Sequence, residues 1–146
     1  MFDIRMQRIL DDLRAALNAD RCTLRLDVPG ETFPVVHESL GEGAATLVGE
    51  RTVVLRGQPV VEALLSGVDQ VVQEDCPAAS DDPAFHAMLA AYGGLSAQIV
   101  TAVRDRDRDR LVGIVSVHVL GGTREWAPLD LGRARRAADD IGRLVG

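Results

Sequence analysis

The sequence predicts an antiparallel α+β fold, and three observations carry the prediction. Residues 95–120 hold two apolar, β-branched runs, LSAQIVTAV and LVGIVSVHVL, on either side of RDRDRDR. Those seven alternating charges cannot be buried together, so the stretch reads as a long hairpin with a solvated tip, the centre of a sheet. Amphipathic periodicity of the helical kind opens and closes the chain. Between these ends lie short strands and short helices with no internal repeat, an order that pairs strands antiparallel.

Taken in order, Ile4, Met6, Ile9, Leu10, Leu13, Ala16 and Leu17 recur at three- and four-residue steps with Arg and Asp between them, which predicts a helix over 3–18. Residues 21–28 (RCTLRLDV) alternate, with Cys22, Leu24, Leu26 and Val28 on one side, and read as a first strand. Pro29-Gly30-Glu31 turns the chain into a second strand over 33–40, whose Pro34 suits a sheet edge because the missing N–H costs nothing there. The pattern loosens over 41–57, with a short extended piece expected at 52–55. Residues 58–66 (QPVVEALLS) predict a short helix, with Pro59 in its first turn and Gly67 beyond its end. A strand follows at 69–74, then a Pro-punctuated polar loop at 75–83 and a second short helix at 84–92, stopped by Gly93-Gly94. After the hairpin, a helix over 129–145 shows an apolar stripe of Leu131, Ala134, Ala138, Ile141 and Val145.

The second arm of the hairpin is apolar on both sides. Leu111, Val115, Val117 and Val119 share one face with Gly113, while Val112, Ile114, Ser116, His118 and Leu120 share the other. A strand of this kind lies between two layers, one covering the first face fully and one leaving room for a Ser and a His on the second.

At 146 residues the chain is expected to be a single domain over 1–146, long enough to bury about two thirds of its unfolded surface. A net charge of −6, with all 16 basic residues Arg, argues against a nucleic-acid surface, which needs a basic stripe. Cys22 and Cys76 lack both zinc-ligand spacing and the density of a secreted scaffold, so a reducing cytoplasm is the expected compartment. MFDIRMQR carries charge within three residues, and no apolar run approaches the roughly 18 residues of a membrane span. A soluble, unprocessed protein without a membrane partner is therefore expected.

The chain resembles the GAF domain family over nearly its whole length. The resemblance is carried by the opening helix running into ADRCTLRL, by VVHESLGEG, by PVVEALLSGVDQVVQED before a Pro-rich loop, and above all by LSAQIVTAVRDRDRDRLVGIVSVHVLGGTREWAPLD. Ser96 entering the hairpin, Gly113 starting its second arm and the aromatic-to-Asp stretch from Trp126 to Asp130 fit the family pattern; Thr101-Ala102 stands where Pro-Leu is usual. The resemblance implies a GAF/PAS-like sheet with the N- and C-terminal helices on one face, often in a dimer bundle. It places a small-molecule pocket on the other face under short helices and loops. The Ser116 and His118 face then looks into the pocket, with Ser96 and Gln98 as neighbours, Phe85, Met88 and Tyr92 on a lid helix, and Asp75 and Cys76 in a covering loop. The function implied is a stand-alone sensory or regulatory domain that binds an unidentified small molecule, acting as a homodimer through its terminal helices or on a protein partner in trans. No cofactor can be named.

Two other classes compete with this reading. One is an enzyme on the same scaffold, using Cys76 or His118 in redox or acid–base work; free methionine sulfoxide reductases use this fold with cooperating loop cysteines, a role for which Cys22, on an apolar strand face, is a poor partner. The other is a pure interaction module whose pocket is filled by its own side chains. His37 and His86 read as packed or solvated, and with no ligand spacing among the histidines no metal site or catalytic set is assigned.

Overall fold

The computed structural model describes residues 2–28, 30–50, 53–105, 107 and 110–145. Helix α1 (Ile4–Leu17) leads into a hairpin of β1 (Arg21–Leu26) and β2 (Val35–Leu40). Then come α2 (Pro59–Leu65), β3 (Gln70–Gln73), α3 (Cys76–Ala79) and α4 (Pro83–Ala91), the long hairpin β4 (Leu95–Arg104) and β5 (Leu111–Leu120), and α5 (Pro128–Leu144). The five strands form one antiparallel sheet in the order β2-β1-β5-β4-β3. The hairpin therefore supplies the central strand, β5, and its neighbour, and the first hairpin adds to it with Pro34 at the outer edge.

Local chemistry sets the element ends. Asp3 caps α1 by accepting from the Arg5 N–H at 2.9 Å, and Asn18 closes it in the left-handed region at φ 49°. Asp82 caps α4 through the Ala84 N–H, and Asp130 reaches back to the Ala127 N–H at the start of α5; these bonds satisfy donors that a helix start leaves open. Strand β2 begins two residues later than the sequence predicts because Phe33 sits at φ 44°, which breaks the extended run.

Each sheet face carries its own core. On one, Met6, Leu10, Leu13 and Leu17 of α1 and Ala134, Ala137, Ala138 and Ile141 of α5 pack on Cys22, Leu24, Ala97, Ile99, Val115 and Val117. On the other, Leu64, Cys76, Phe85, Met88 and Leu89 pack with Tyr92 on Leu95, Val100 and Ile114. Each of these large side chains contributes about 2 kcal/mol by leaving water.

Four expectations are corrected. Leu111 belongs to the second core and Val112 to the first, the reverse of strict alternation. The cause is a bulge: Val103 pairs with Gly113 but Arg104 pairs with Leu111, so Val112 is the extra residue and the alternation shifts by one. The loop after β3 contains the single turn α3, whose amide at Ala78 is capped by Asp75. No strand forms at 53–55, and Thr52, the start of that expected piece, lies outside the described residues. Arg104, at the edge of the charged tip, is not a solvated turn residue: its Nε donates to Asp69 at 2.9 Å and its Nη2 to the carbonyls of Leu64 and Val68. Pro29 and, within the tip, Arg106, Arg108 and Asp109 lie outside the described residues.

Candidate functional site

The floor of the site is the sheet face opposite α1 and α5. Arg21, His118 and Gln98 stand in register across β1, β5 and β4, and Thr23, Ser116 and Val100 form the next row. The roof is built by Leu55, by Val60 and Val61 of α2 with Gln58 at its cap, and by Met88 of α4 with Tyr92 at its end. A cavity of about 50 Å³ lies between. Gln58 and Met88 also border an open groove of about 610 Å³ on the outer side.

A polar network fixes the charge and orientation of the floor. Arg21 is fully buried; its Nε donates to His118 Nδ1 at 3.0 Å, one Nη to the Ala45 carbonyl at 3.0 Å and the other to the Tyr92 carbonyl at 2.8 Å. A guanidinium has only donors, so Nδ1 of His118 must accept, and the proton of the neutral ring sits on Nε2. The Tyr92 ring stacks on His118 at 6.0 Å, and its hydroxyl accepts from Arg25 Nη2 at 2.7 Å. Burial first, then the charges of Arg21 and Arg25, hold the His118 pKa well below the usual imidazole range. Burial likewise pushes the Tyr92 phenol up.

Beside this satisfied network stand polar groups with nothing to bind. Gln58 is 5% exposed, and its Nε2 donates to the Ala84 carbonyl at 3.2 Å while its buried Oε1 has no partner among the described residues. No hydrogen bond among the described residues involves the hydroxyls of Thr23 or Ser116, which are 1% and 7% exposed, or His118 Nε2. Among the described residues Gln58 Oε1 and, away from this cavity, Gln70 Oε1 are buried without a partner, where buried groups are normally paired.

Of the residues expected at the site, Gln98, Ser116, His118, Met88 and Tyr92 line the cavity. Ser96 does not: it is the extra residue of a bulge between Leu95 and Ala97, and its hydroxyl turns back to the Gly94 carbonyl at 2.9 Å. Asp75 caps α3, and Phe85 and Cys76 are buried in the core above the sheet. Arg21, Thr23, Arg25 and Gln58 were not expected there. The first three were readable as the alternate residues of RCTLRL, opposite Cys22 and Leu24; Gln58 carries no sequence signal beyond its place before Pro59.

The remaining candidate chemistry falls elsewhere. Cys22 packs in the core under the terminal helices and Cys76 in the core on the opposite sheet face, and burial pushes both thiols up to about 12. Neither is a thiolate at neutral pH, and the sheet separates them. His37 ties α1 to β2: Nε2 accepts from the Asp3 N–H at 3.3 Å and Nδ1 faces Gln7 Oε1 at 3.2 Å. His86 contacts the Ser80 carbonyl. Among the described residues no three His, Cys, Asp or Glu side chains are grouped to hold a metal ion, and no helix is long and apolar enough to cross a membrane.

Comparison with known proteins gives a consistent answer on the fold. The GAF domain family profile matches residues 3–145. Among solved structures, the blue-light-absorbing form of the PixJ GAF domain of Thermosynechococcus elongatus is similar at 22% identity, with 97% of this chain and 87% of that chain covered and a TM-score of 0.72. A GAF domain from Synechocystis sp. in its photoproduct state gives 16% identity, coverage of 97% and 93%, and a TM-score of 0.76. The phycocyanobilin-bound GAF domain of a cyanobacterial phytochrome gives 19%, coverage of 94% and 82%, and a TM-score of 0.74. No curated protein sequence matches the chain.

Proposed function

The chain belongs to the GAF domain family, and from that premise we propose that it is a small-molecule-binding sensory or regulatory domain whose ligand sits between β1, β5 and β4 and the roof of α2 and α4. The observation that carries this reading is the buried Gln58 Oε1, without a partner among the described residues, beside a cavity that Thr23, Ser116 and His118 also line. An apolar enclosure with a few convergent polar groups is the usual makeup of a ligand site. Similar GAF structures hold phycocyanobilin or, in another case, biliverdin. The cavity of about 50 Å³ favours a ligand smaller than a bilin, for which the unbranched Met88 could make room toward the outer groove. The buried thiols disfavour the redox reading of Cys76.

The hydroxyls provide the test. Thr23→Val and Ser116→Ala together remove two hydroxyls that have no hydrogen bond among the described residues, so the melting temperature is expected to hold or rise slightly, within about 1 kcal/mol of stability. Native mass spectrometry of freshly purified protein should show a small molecule retained by the wild type and lost from the double variant. A clear drop in melting temperature would assign the hydroxyls to the fold, and a bare mass for the wild type would count against a tightly held ligand.

For assembly we propose pairing through the terminal helices across a two-fold axis. The outer side of α1 and α5 forms a groove of about 290 Å³ with Ile9, Leu13, Ala16 and Ala137 at its base and Asp12, Asp140, Arg133 and Arg136 along it. Acids and bases on the same patch let it complement a second copy of itself. Light scattering after size exclusion should return twice the 15.7 kDa chain mass at micromolar concentration; a strict monomer there overturns the pairing.

A further inference from the structure

The polar side chains around the cavity include a cation and no acid. Thr23, Ser116 and Tyr92 bring hydroxyls, Gln58 and Gln98 bring amides, His118 brings a neutral ring and Arg25 a guanidinium, with neither Asp nor Glu in the lining. Arg25 donates from Nη1 to the Phe33 carbonyl at 2.9 Å and from Nη2 to the Tyr92 hydroxyl at 2.7 Å, both neutral acceptors. A guanidinium has five N–H groups, so three remain, and the Tyr92 hydroxyl, which accepts from Arg25, keeps its own proton to donate. On the same face of β1, the fully buried Arg21 bonds only His118 and two carbonyls. Glu38 and Asp20 attract Arg21 from a distance while accepting from the Leu47 and Leu120 amides. Glu31 and Glu50 line the outer cleft that shares Arg25 with the cavity, not the cavity itself. Among the described residues no carboxylate forms an ion pair with Arg21 or Arg25.

The strand register separates the charge from the amide oxygen on the floor. Gln98 stands in the row of Arg21 and His118, and Arg25 lies four residues farther along β1, about 13 Å away along the strand. Thr23 and Ser116 occupy the row between, where their hydroxyls rotate to donate. The oxygens of Gln58 and Gln98 are neutral acceptors, open to a water or to a ligand N–H or O–H, and do not set the sign of the charge. Resting on the ligand-binding reading above, we infer that the cavity takes a small organic anion, a carboxylate in its simplest form. Its charged group lies at Arg25 and the Tyr92 hydroxyl, and its carbon part lies under Leu55, Val60 and Val61. Hydrogen bonds from a guanidinium to a carboxylate are about twice as strong as those between neutral groups. A cation in the same space would meet Arg25 with no acid in the lining to offset it.

The test uses acetate, acetamide and acetamidinium, which share one planar shape and are negative, neutral and positive. Each is titrated into the full chain at neutral pH and constant ionic strength and followed by backbone amide NMR shifts. With acetate, the amides of Thr23, Arg25 and Ser116 should move and saturate at an apparent Kd about tenfold or more below that of acetamide, with acetamidinium weakest. In Arg25→Gln, which keeps donors and loses the charge, the advantage of acetate should collapse while acetamide binds as before. Acetamide or acetamidinium binding the wild type as tightly as acetate overturns the inference, as does an advantage of acetate that persists in Arg25→Gln. In those outcomes the ligand-binding reading survives. Saturable shifts from none of the three probes at tens of millimolar would remove both, leaving a cavity that holds ordered water only. If Arg25→Gln fails to fold, the wild-type order of the three probes decides alone.

Discussion

Replacing His118 with phenylalanine is expected to destabilise the protein by about 3 kcal/mol, because the ring nitrogen it removes is the acceptor for a buried charged donor. Arg21 is fully buried and gives its Nε–H to His118 Nδ1 at 3.0 Å. Phenylalanine fills the same space and leaves that N–H facing carbon. For a chain of this size the melting temperature should fall by about 10 °C, and His118→Gln, which restores an acceptor, should recover part of the loss. The pH dependence gives a second readout. His118 is held neutral in the fold, with its pKa well below the ordinary value of 6.5, so the unfolded chain binds the extra proton. Its contribution is fully present above about pH 6.5 and is lost as pH falls below that value toward the folded pKa. Between pH 7 and 5 the wild type should lose stability more steeply than His118→Gln, the residual slope including His37, whose pKa burial also lowers. Parallel pH profiles for the two proteins, or a phenylalanine variant as stable as the wild type, would show that the Arg21 contact carries no weight.

The same contact explains why ligand loss in a His118 variant is ambiguous alone. His118 belongs to the frame through Nδ1 and to the cavity through Nε2. The hydroxyls of Thr23 and Ser116 and Gln58 Oε1 have no hydrogen bond among the described residues, so they separate binding from folding where His118 does not.

The parts of this arrangement that sequence could show are those set by period and by terminal chemistry. The helix stripes of α1 and α5, the caps around them and the two-sided apolar arm of β5 follow from local rules, and the central hairpin and the two faces follow with them. What escaped is non-local. The bulges at Ser96 and Val112 depend on how β4 twists against β5, and the one extra residue in each took Ser96 out of the site and exchanged the faces of Leu111 and Val112. Arg21 and Arg25 read as the solvent side of a half-buried strand until a helical roof was set over them. Gln58 enters the site only because Ala84, 26 residues away, fixes which end of its amide is free.

Gly113 is the position where the sequence pattern and the packing meet most closely, and Gly113→Val is expected to be the most damaging single change in the sheet. A side chain starting there would place its Cβ 2.7 Å from the Arg25 carbonyl oxygen, 2.8 Å from Leu26 Cδ2 and 3.2 Å from Val103 Cβ. The leucine tip can move. The carbonyl cannot, because it belongs to the strand paired directly with β5, where Arg25 stands opposite Ile114 and Leu26 opposite Gly113. Relief requires β1 to lift from β5 at the end of their ladder, beside the bulge that leaves Val112 without a register partner on β4. Overpacking alone costs about 1–3 kcal/mol, and the lost pairing adds to it, so a loss of about 4 kcal/mol or more is expected for valine and about 2 for Gly113→Ala. The damage should spread along the β1–β5 seam toward Thr23, Ser116 and the Arg21–His118 contact, so amide exchange in both strands should speed up even where the alanine variant still folds. An alanine variant that melts within 1 °C of the wild type, with unchanged exchange at Thr23 and Ser116, would mean that β1 and β5 yield at this point and that glycine is not required there.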